Sequence, residues 1–167
     1  MFNTKRTEFD TLVRGYSAEL YRYAYWLSRD RSSAEDLVQE TFARAWTGWL
    51  KLRDARAAKK WLYTILRNEH ARSFERKRLE LVDDVDLETL EDPCIPANSA
   101  AFELRDALRA LPAGYREPLL LQVIGGFTCE EIAKMMDMTV GATMTRLSRA
   151  RLALRKEPGA VSERSSG

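Results

Sequence analysis

The chain has one histidine, His70, and only two cysteines, Cys94 and Cys129, in its 167 residues. The thiols lack CxxC spacing and the single imidazole completes no zinc set with them, so neither a structural metal nor a disulfide is expected. No second histidine, carboxylate dyad or nucleophile motif accompanies His70, which leaves acid–base and covalent catalysis without residues to carry them. We therefore assign no catalytic residue, no metal ligand and no cofactor. No apolar run approaches the roughly 20 residues of a bilayer crossing, and the opening MFNTKRTEFD lacks the apolar stretch of a signal peptide. A cytoplasmic chain without membrane insertion is the expectation. Alternating apolar and polar residues, internal repeats and low-complexity blocks are also missing, which argues against surface strands and solenoids.

What is there suits one or two small soluble domains: 45% hydrophobic, 10% aromatic and 31% charged residues. The formal net charge is only +2, but it is unevenly placed. Lys51 to Arg78 holds ten Lys or Arg against three acids, and Leu79 to Pro93 holds seven acids and no base. A basic segment, an acidic one and a second basic segment at the C-terminal end suggest two binding surfaces separated by a linker.

Helical periodicity runs through most of the chain. Phe9, Leu12, Val13, Tyr16, Leu20, Ala24 and Leu27 predict an amphipathic helix over 6–29, with Gly15 as its one weak point. Ser32 and Glu35 have capping-box spacing and predict the start of a second helix, which carries Leu37 or Val38, Phe42, Ala45 or Trp46, and Trp49 on its apolar stripe. Glu35, Asp36, Gln39, Glu40 and Arg44 fall outside that stripe. A third helix is predicted over 59–78, with Trp61, Leu62, Ile65, Leu66 and Phe74 inward and Arg67, Asn68, Arg72, Arg76, Lys77 and Arg78 left for a partner. Residues 79–99, rich in acids and containing two prolines, read as an interdomain linker. It is a solvated spacer or, in a sharper reading, a segment that folds back on a basic face. Helices resume over 100–111, with Phe102, Leu104, Leu108 and Leu111 inward, and over 116–124, where Gly125-Gly126 stops the run. After proline 158, the residues to 167 read as a disordered tail.

The stretch from Thr128 to Arg155 is the most informative. Thr128 and Glu131 form a capping box, Ile132, Ala133, Met135 and Met136 supply a buried face, and the periodicity stops at Asp137-Met138-Thr139. Asp137 is a residue type that tolerates the left-handed backbone such a corner needs, and Thr139 is placed to cap a second helix. That helix bears Val140, Thr143, Leu147, Ala150 and Leu154 at helical spacing, with Arg146, Arg149, Arg151 and Arg155 around the rest. This is a helix-turn-helix pattern, whose second helix enters the major groove of DNA. Taken alone, the pattern fits an ordinary helical hairpin with a solvated basic face equally well.

The tie is broken by four collinear motifs: Ala34 to Trp46, Trp61 to Asn68, Leu111 to Pro118, and Glu130-Glu-Ile-Ala with Val140-Gly141 and Arg146 to Arg151. Together, in this order, they resemble an extracytoplasmic-function (ECF) sigma factor, the minimal branch of the sigma-70 superfamily. The resemblance covers nearly the whole chain. It implies an all-α chain of two small helical domains, a region-two bundle over 5–78 and a region-four helix-turn-helix domain over 100–157, joined by a flexible acidic linker.

It also implies a transcription initiation factor that binds RNA polymerase core, recognises promoter DNA and promotes duplex opening without covalent chemistry of its own. By matching motifs, Asp36, Gln39, Glu40, Arg44 and Trp46 would face the clamp helices of the largest polymerase subunit, and the polymerase flap region is a further implied contact. Asn68, Glu69, His70 and Arg72, at a loop or helix junction after Leu66, would hold the flipped minus-ten base, although His70 taken alone reads as an ordinary surface residue. Arg76, Lys77 and Arg78 would hold phosphates. Thr143, Met144, Thr145, Arg146, Ser148, Arg149 and Arg151 would face the minus-thirty-five element. An anti-sigma factor is an implied partner. Met144 and Thr145 depart from the residues usual in the family, so base preference there does not transfer. The competing readings are a dimeric helix-turn-helix repressor, a nucleic-acid-modifying enzyme and a pure interaction module.

Overall fold

The structure is a computed structural model that describes residues 2–79 and 99–156. Apart from its end residues Leu79 and Ser99, which belong to helices, the predicted linker lies outside the described residues, as do the predicted C-terminal tail and the side chains of Phe74, Lys77, Arg78 and Phe102. Seven α-helices and one 3-10 turn make up the described structure, with no strand among them, so the all-helical expectation holds. The chain separates into two compact units, Met1–Leu90 and Glu91–Gly167.

The N-terminal unit contains α1 (Phe2–Ser28), α2 (Arg31–Trp49), a 3-10 turn at Ala55–Ala57 and α3 (Ala58–Leu79). The predicted stripe of α1 is only partly the core. Phe9, Leu20 and Ala24 are buried, but so are Tyr23, Tyr25 and Trp26. Four consecutive buried residues, 23–26, mean that the end of α1 is enclosed on most sides, which a one-face periodicity does not anticipate. Gly15 does not interrupt the helix, and a Cβ added there would meet nothing within 4 Å. Gly15→Ala is therefore expected to stabilise this unit by about 0.5–1 kcal/mol, through reduced freedom of the unfolded backbone. A urea midpoint that falls rather than rises would contradict it.

Arg29, at φ 59°, turns the chain, and Asp30 caps α2 by accepting from the Ser33 amide at 2.9 Å and from its hydroxyl at 2.7 Å. The predicted Ser32 cap is thus displaced by two residues, because the connection is shorter than the polar run suggests. Along α2 the buried stripe is Ala34, Leu37, Thr41, Ala45 and Trp49. Val38 and Phe42 are half-buried and Trp46 is exposed. Thr41 belongs to the core despite its hydroxyl, which donates to the Leu37 carbonyl at 2.6 Å within the same helix.

Phe9 packs against Trp46 and Trp49, with ring centroids 5.0 and 5.8 Å away, and ties α1 to α2. Between α2 and α3 the spacing is set by Gly48, where a Cβ would sit 2.8 Å from the Trp61 ring. Trp61 and Ile65 are half-buried, Leu62 and Leu66 are fully buried, and Tyr63 joins them. The Tyr63 hydroxyl donates to Glu19 at 2.6 Å. Burial, and then that carboxylate, push its pKa far above the usual tyrosine range, which leaves it a permanent donor.

The C-terminal unit contains α4 (Ser99–Ala110), α5 (Ala113–Val123), α6 (Cys129–Met135) and α7 (Val140–Lys156). Leu104, predicted to face inward, is 50% exposed, and Arg105 is buried in its place. Helix α5 begins three residues earlier than the periodicity indicates, because Pro112 with φ −56° leads directly into it. Gly126 takes φ 69° at its exit, and its amide bonds to the Gln122 carbonyl at 3.0 Å.

The predicted caps of the helix-turn-helix are present. The Glu131 amide donates to Thr128 Oγ1 at 3.2 Å while the Thr128 amide donates to Glu131 Oε1 at 3.1 Å. The Ala142 amide donates to Thr139 Oγ1 at 3.1 Å. Asp137 turns the corner at φ 53°. Glycine should be tolerated at 137, whereas Asp137→Val should cost about 1–2 kcal/mol because a β-branched side chain is strained there. Equal thermal midpoints for the valine and glycine variants would contradict the assigned corner.

Candidate functional site

On α2 the residues off the core stripe present a polar surface. Asp36, Gln39 and Glu40 lie off that stripe, Asp36 with Gln39 and Glu40 one turn apart along one face. Arg44 continues that face, but it is not free: its Nε lies 3.1 Å from Glu40 Oε1 and 2.5 Å from Glu69 Oε1 of α3. Trp46 is 39% exposed, with the rest of its ring against Phe9.

Glu69 departs most from its predicted role on α3. It is only 4% exposed, and the same carboxylate oxygen that meets Arg44 also meets Arg72 Nη1 at 3.3 Å. A buried carboxylate costs several kilocalories per mole of desolvation unless it is paired, and two guanidinium groups offset that here. This removes Glu69 from the surface predicted to hold a DNA base and gives it a positioning task, fixing Arg44 and Arg72 across the α2–α3 seam. There is also no loop or junction after Leu66, because α3 runs unbroken from Ala58 to Leu79. Asn68, Arg72 and Arg76 are exposed and four residues apart, so they form one line along that helix, while His70 is half-buried. Between α2 and α3 lies a polar groove of about 510 Å³ whose lining includes Asp36, Glu40 and Arg44 on one wall and Glu69, Ser73 and Arg76 on the other.

In the C-terminal unit, α7 packs through Thr143, Leu147 and Ala150, all buried. Thr143 therefore has no surface to offer a DNA base. Its hydroxyl donates to the Thr139 carbonyl at 2.9 Å, which lets a polar residue occupy a core position. The outward strip is Gly141, Met144, Thr145, Ser148, Arg149 and Leu152, all exposed.

Two of the predicted DNA-facing arginines are engaged within the unit. Pro118 lies inside α5 and has no amide hydrogen, so the carbonyl of Gly114 four residues earlier lacks its usual helical donor. Arg146 Nη1 donates to that carbonyl at 3.3 Å, and Gly114 makes room, since a Cβ there would approach the guanidinium to 3.2 Å. Arg151 donates to Gln122 Oε1, also on α5. Both bonds hold α7 on α5 and so aim its outward strip. The sequence signal for the first is present but easily passed over: a proline four residues after a glycine, opposite an arginine on the next long helix. Arg149 has no such tie among the described residues and extends into solvent.

Among the described residues no group of three or more His, Cys, Asp or Glu is placed to hold a metal ion, and no helix is long and apolar enough to cross a membrane. The arrangement offers charged and amide-bearing surfaces on two separate helical units.

Comparison with known proteins places both units. Residues 12–80 match the family model of sigma-70 region 2, and residues 101–154 that of sigma-70 region 4. The ECF RNA polymerase sigma factor EcfG of Rhodopseudomonas palustris is 38% identical over 136 residues, covering 79% of this chain and 75% of that protein. SigE of Mycolicibacterium smegmatis, another ECF RNA polymerase sigma factor, is 33% identical over 155 residues, covering 88% of this chain and 60% of that one. Among solved structures, the sigma factor RpoE of Bartonella quintana, in complex with the anti-sigma factor NepR, superimposes with a TM-score of 0.73 at 28% identity over 89% of this chain and 95% of that one. The two family models, in this order and on these two units, together with relatives above 30% identity, show that the chain belongs to the ECF RNA polymerase sigma factors of the sigma-70 family.

Proposed function

We propose a division of labour within this sigma factor. The α2 face, with Asp36, Gln39, Glu40 and Trp46, docks on the clamp helices of core polymerase. The line Asn68, Arg72 and Arg76 on α3 holds the melted minus-ten strand by amide and phosphate contacts, and Lys77 and Arg78, next in sequence, add phosphate contacts. The outward strip of α7 enters the major groove of the minus-thirty-five duplex. Residues 5–78 and 100–157 are the two working domains, and the acids between them serve as spacer. The chain acts in the cytoplasm, catalyses no covalent step itself, and is held in check by an anti-sigma factor, as the complex of its Bartonella relative suggests.

The observation that carries this reading is the way α7 is built. Its core stripe is buried, two arginines clamp it to α5, and what remains outside is a strip of Gly141, Met144, Thr145, Ser148, Leu152 and Arg149, which has no tie among the described residues. A dimeric repressor has the same motif, and footprinting separates the two. A sigma factor protects its promoter when core polymerase is present and little without it. Protection of a duplex operator by the chain alone, at the same concentration and salt, would favour the repressor.

A further inference from the structure

The outward strip of α7 is polar at Thr145, Ser148 and Arg149, yet a large apolar side chain stands among them. Met144 is 55% exposed, one helical turn in from the start of the helix. A thioether donates no hydrogen bond and accepts one only weakly, so it reads neither the polar edges of base pairs nor a phosphate. The major groove has one apolar feature that such a side chain can recognise, the C5 methyl of thymine.

The surroundings favour that contact. Gly141 lies one turn earlier on the same strip, and the space around it is open to 4 Å, so no side chain there holds the helix away from base edges. Val140, 39% exposed, extends the apolar surface toward the helix start. Three rotatable bonds let methionine adapt to a methyl in the groove wall.

We propose that Met144 reads a thymine methyl in the minus-thirty-five duplex, so that the element preferred by this chain carries a thymine opposite the second turn of α7. The inference rests on the reading that α7 enters the major groove. Met144 is then a specificity residue that works by burying a methyl group, beside an arginine that works by hydrogen bonds.

The test uses the full chain assembled with core polymerase. A promoter is selected from a library randomised at the minus-thirty-five element, and each thymine in it is then replaced by deoxyuridine, which removes only the methyl. One replacement should weaken wild-type holoenzyme by about fourfold, the effect of losing the burial of one methyl-sized group. The same replacement should leave Met144→Ala unaffected, and Met144→Leu should retain the dependence. Selected elements without thymine, indifference of the wild type to every replacement, or an equal weakening in Met144→Ala would each overturn the proposal. Failure to recover any selective element with holoenzyme would overturn the groove reading of α7 itself, and this proposal with it.

Discussion

Changing Asp36, Gln39 and Glu40 together to alanine should weaken binding to core polymerase by about tenfold or more, equivalent to roughly 1.4 kcal/mol, with little change in the fold. All three side chains lie on one face of α2, off the stripe of Ala34, Leu37, Thr41, Ala45 and Trp49 that packs against the rest of the unit. Their removal leaves no core cavity. It does break the exposed Glu40–Arg44 pair, and such helix pairs contribute only about 0.3–0.5 kcal/mol. Arg44 keeps its buried partner Glu69, so the α2–α3 seam survives. Charge complementarity sets partner choice and encounter rate, so the deficit should show largely in association and should shrink at high salt. Circular dichroism and thermal midpoint report the fold, and competition with the wild type for core enzyme reports the interface. Undiminished competition would remove this face from the polymerase contact.

Arg149→Ala should weaken promoter binding by about 1–3 kcal/mol, with a penalty that depends on the base pair it faces. Arg149 is exposed on the outward strip of α7 and has no ion pair or hydrogen bond among the described residues, so its truncation leaves the unit itself unchanged. If Arg149 is bidentate to guanine, the loss relative to wild type is largest at the cognate sequence, whereas if it holds a phosphate the loss is uniform. The contrast with Arg146 sharpens the expectation. Arg146 donates to the Gly114 carbonyl left open by Pro118, so Arg146→Ala should lower stability by about 1 kcal/mol and affect all sequences alike through a looser α7. Binding by Arg149→Ala equal to wild type on a selected promoter would place the reading elsewhere on the strip.

Local chemistry is the legible part of this chain. Thr128 with Glu131, Thr139 and Asp137 announce the helix-turn-helix within three or four residues of where they act, and each occupies the expected place. The motif order from Ala34 to Arg151 likewise carries family membership. Contacts between helices are not legible. Glu69 reads as one more polar residue on a basic helix, and only the approach of α2 shows it buried between Arg44 and Arg72. Thr41 is missing from the apolar stripe read for α2, and Thr143, which spacing groups with Leu147 and Ala150, is grouped by the family resemblance with DNA-facing residues; polarity is a poor guide where a hydroxyl can donate to the carbonyl four residues back. Tyr23, Tyr25 and Trp26 escape a one-face periodicity because the end of α1 is enclosed. Arg146 groups by sequence with the DNA-facing arginines because its carbonyl partner lies on another helix, and a missing amide hydrogen at Pro118 creates that site. Polarity thus overestimates the exposed surface of α7 that a partner can reach, which burial and the two arginine bonds narrow to the outward strip.

As a sigma factor, this chain gives core RNA polymerase its promoter choice. In vitro transcription with purified core enzyme and a genomic promoter library tests it most directly. Adding the chain should produce new, defined start sites that are absent with core alone, and the Asp36, Gln39 and Glu40 triple variant should fail to produce them in proportion to its reduced core affinity. A transcript pattern that does not change when the chain is added, while the chain alone protects specific duplex sites, would contradict the account.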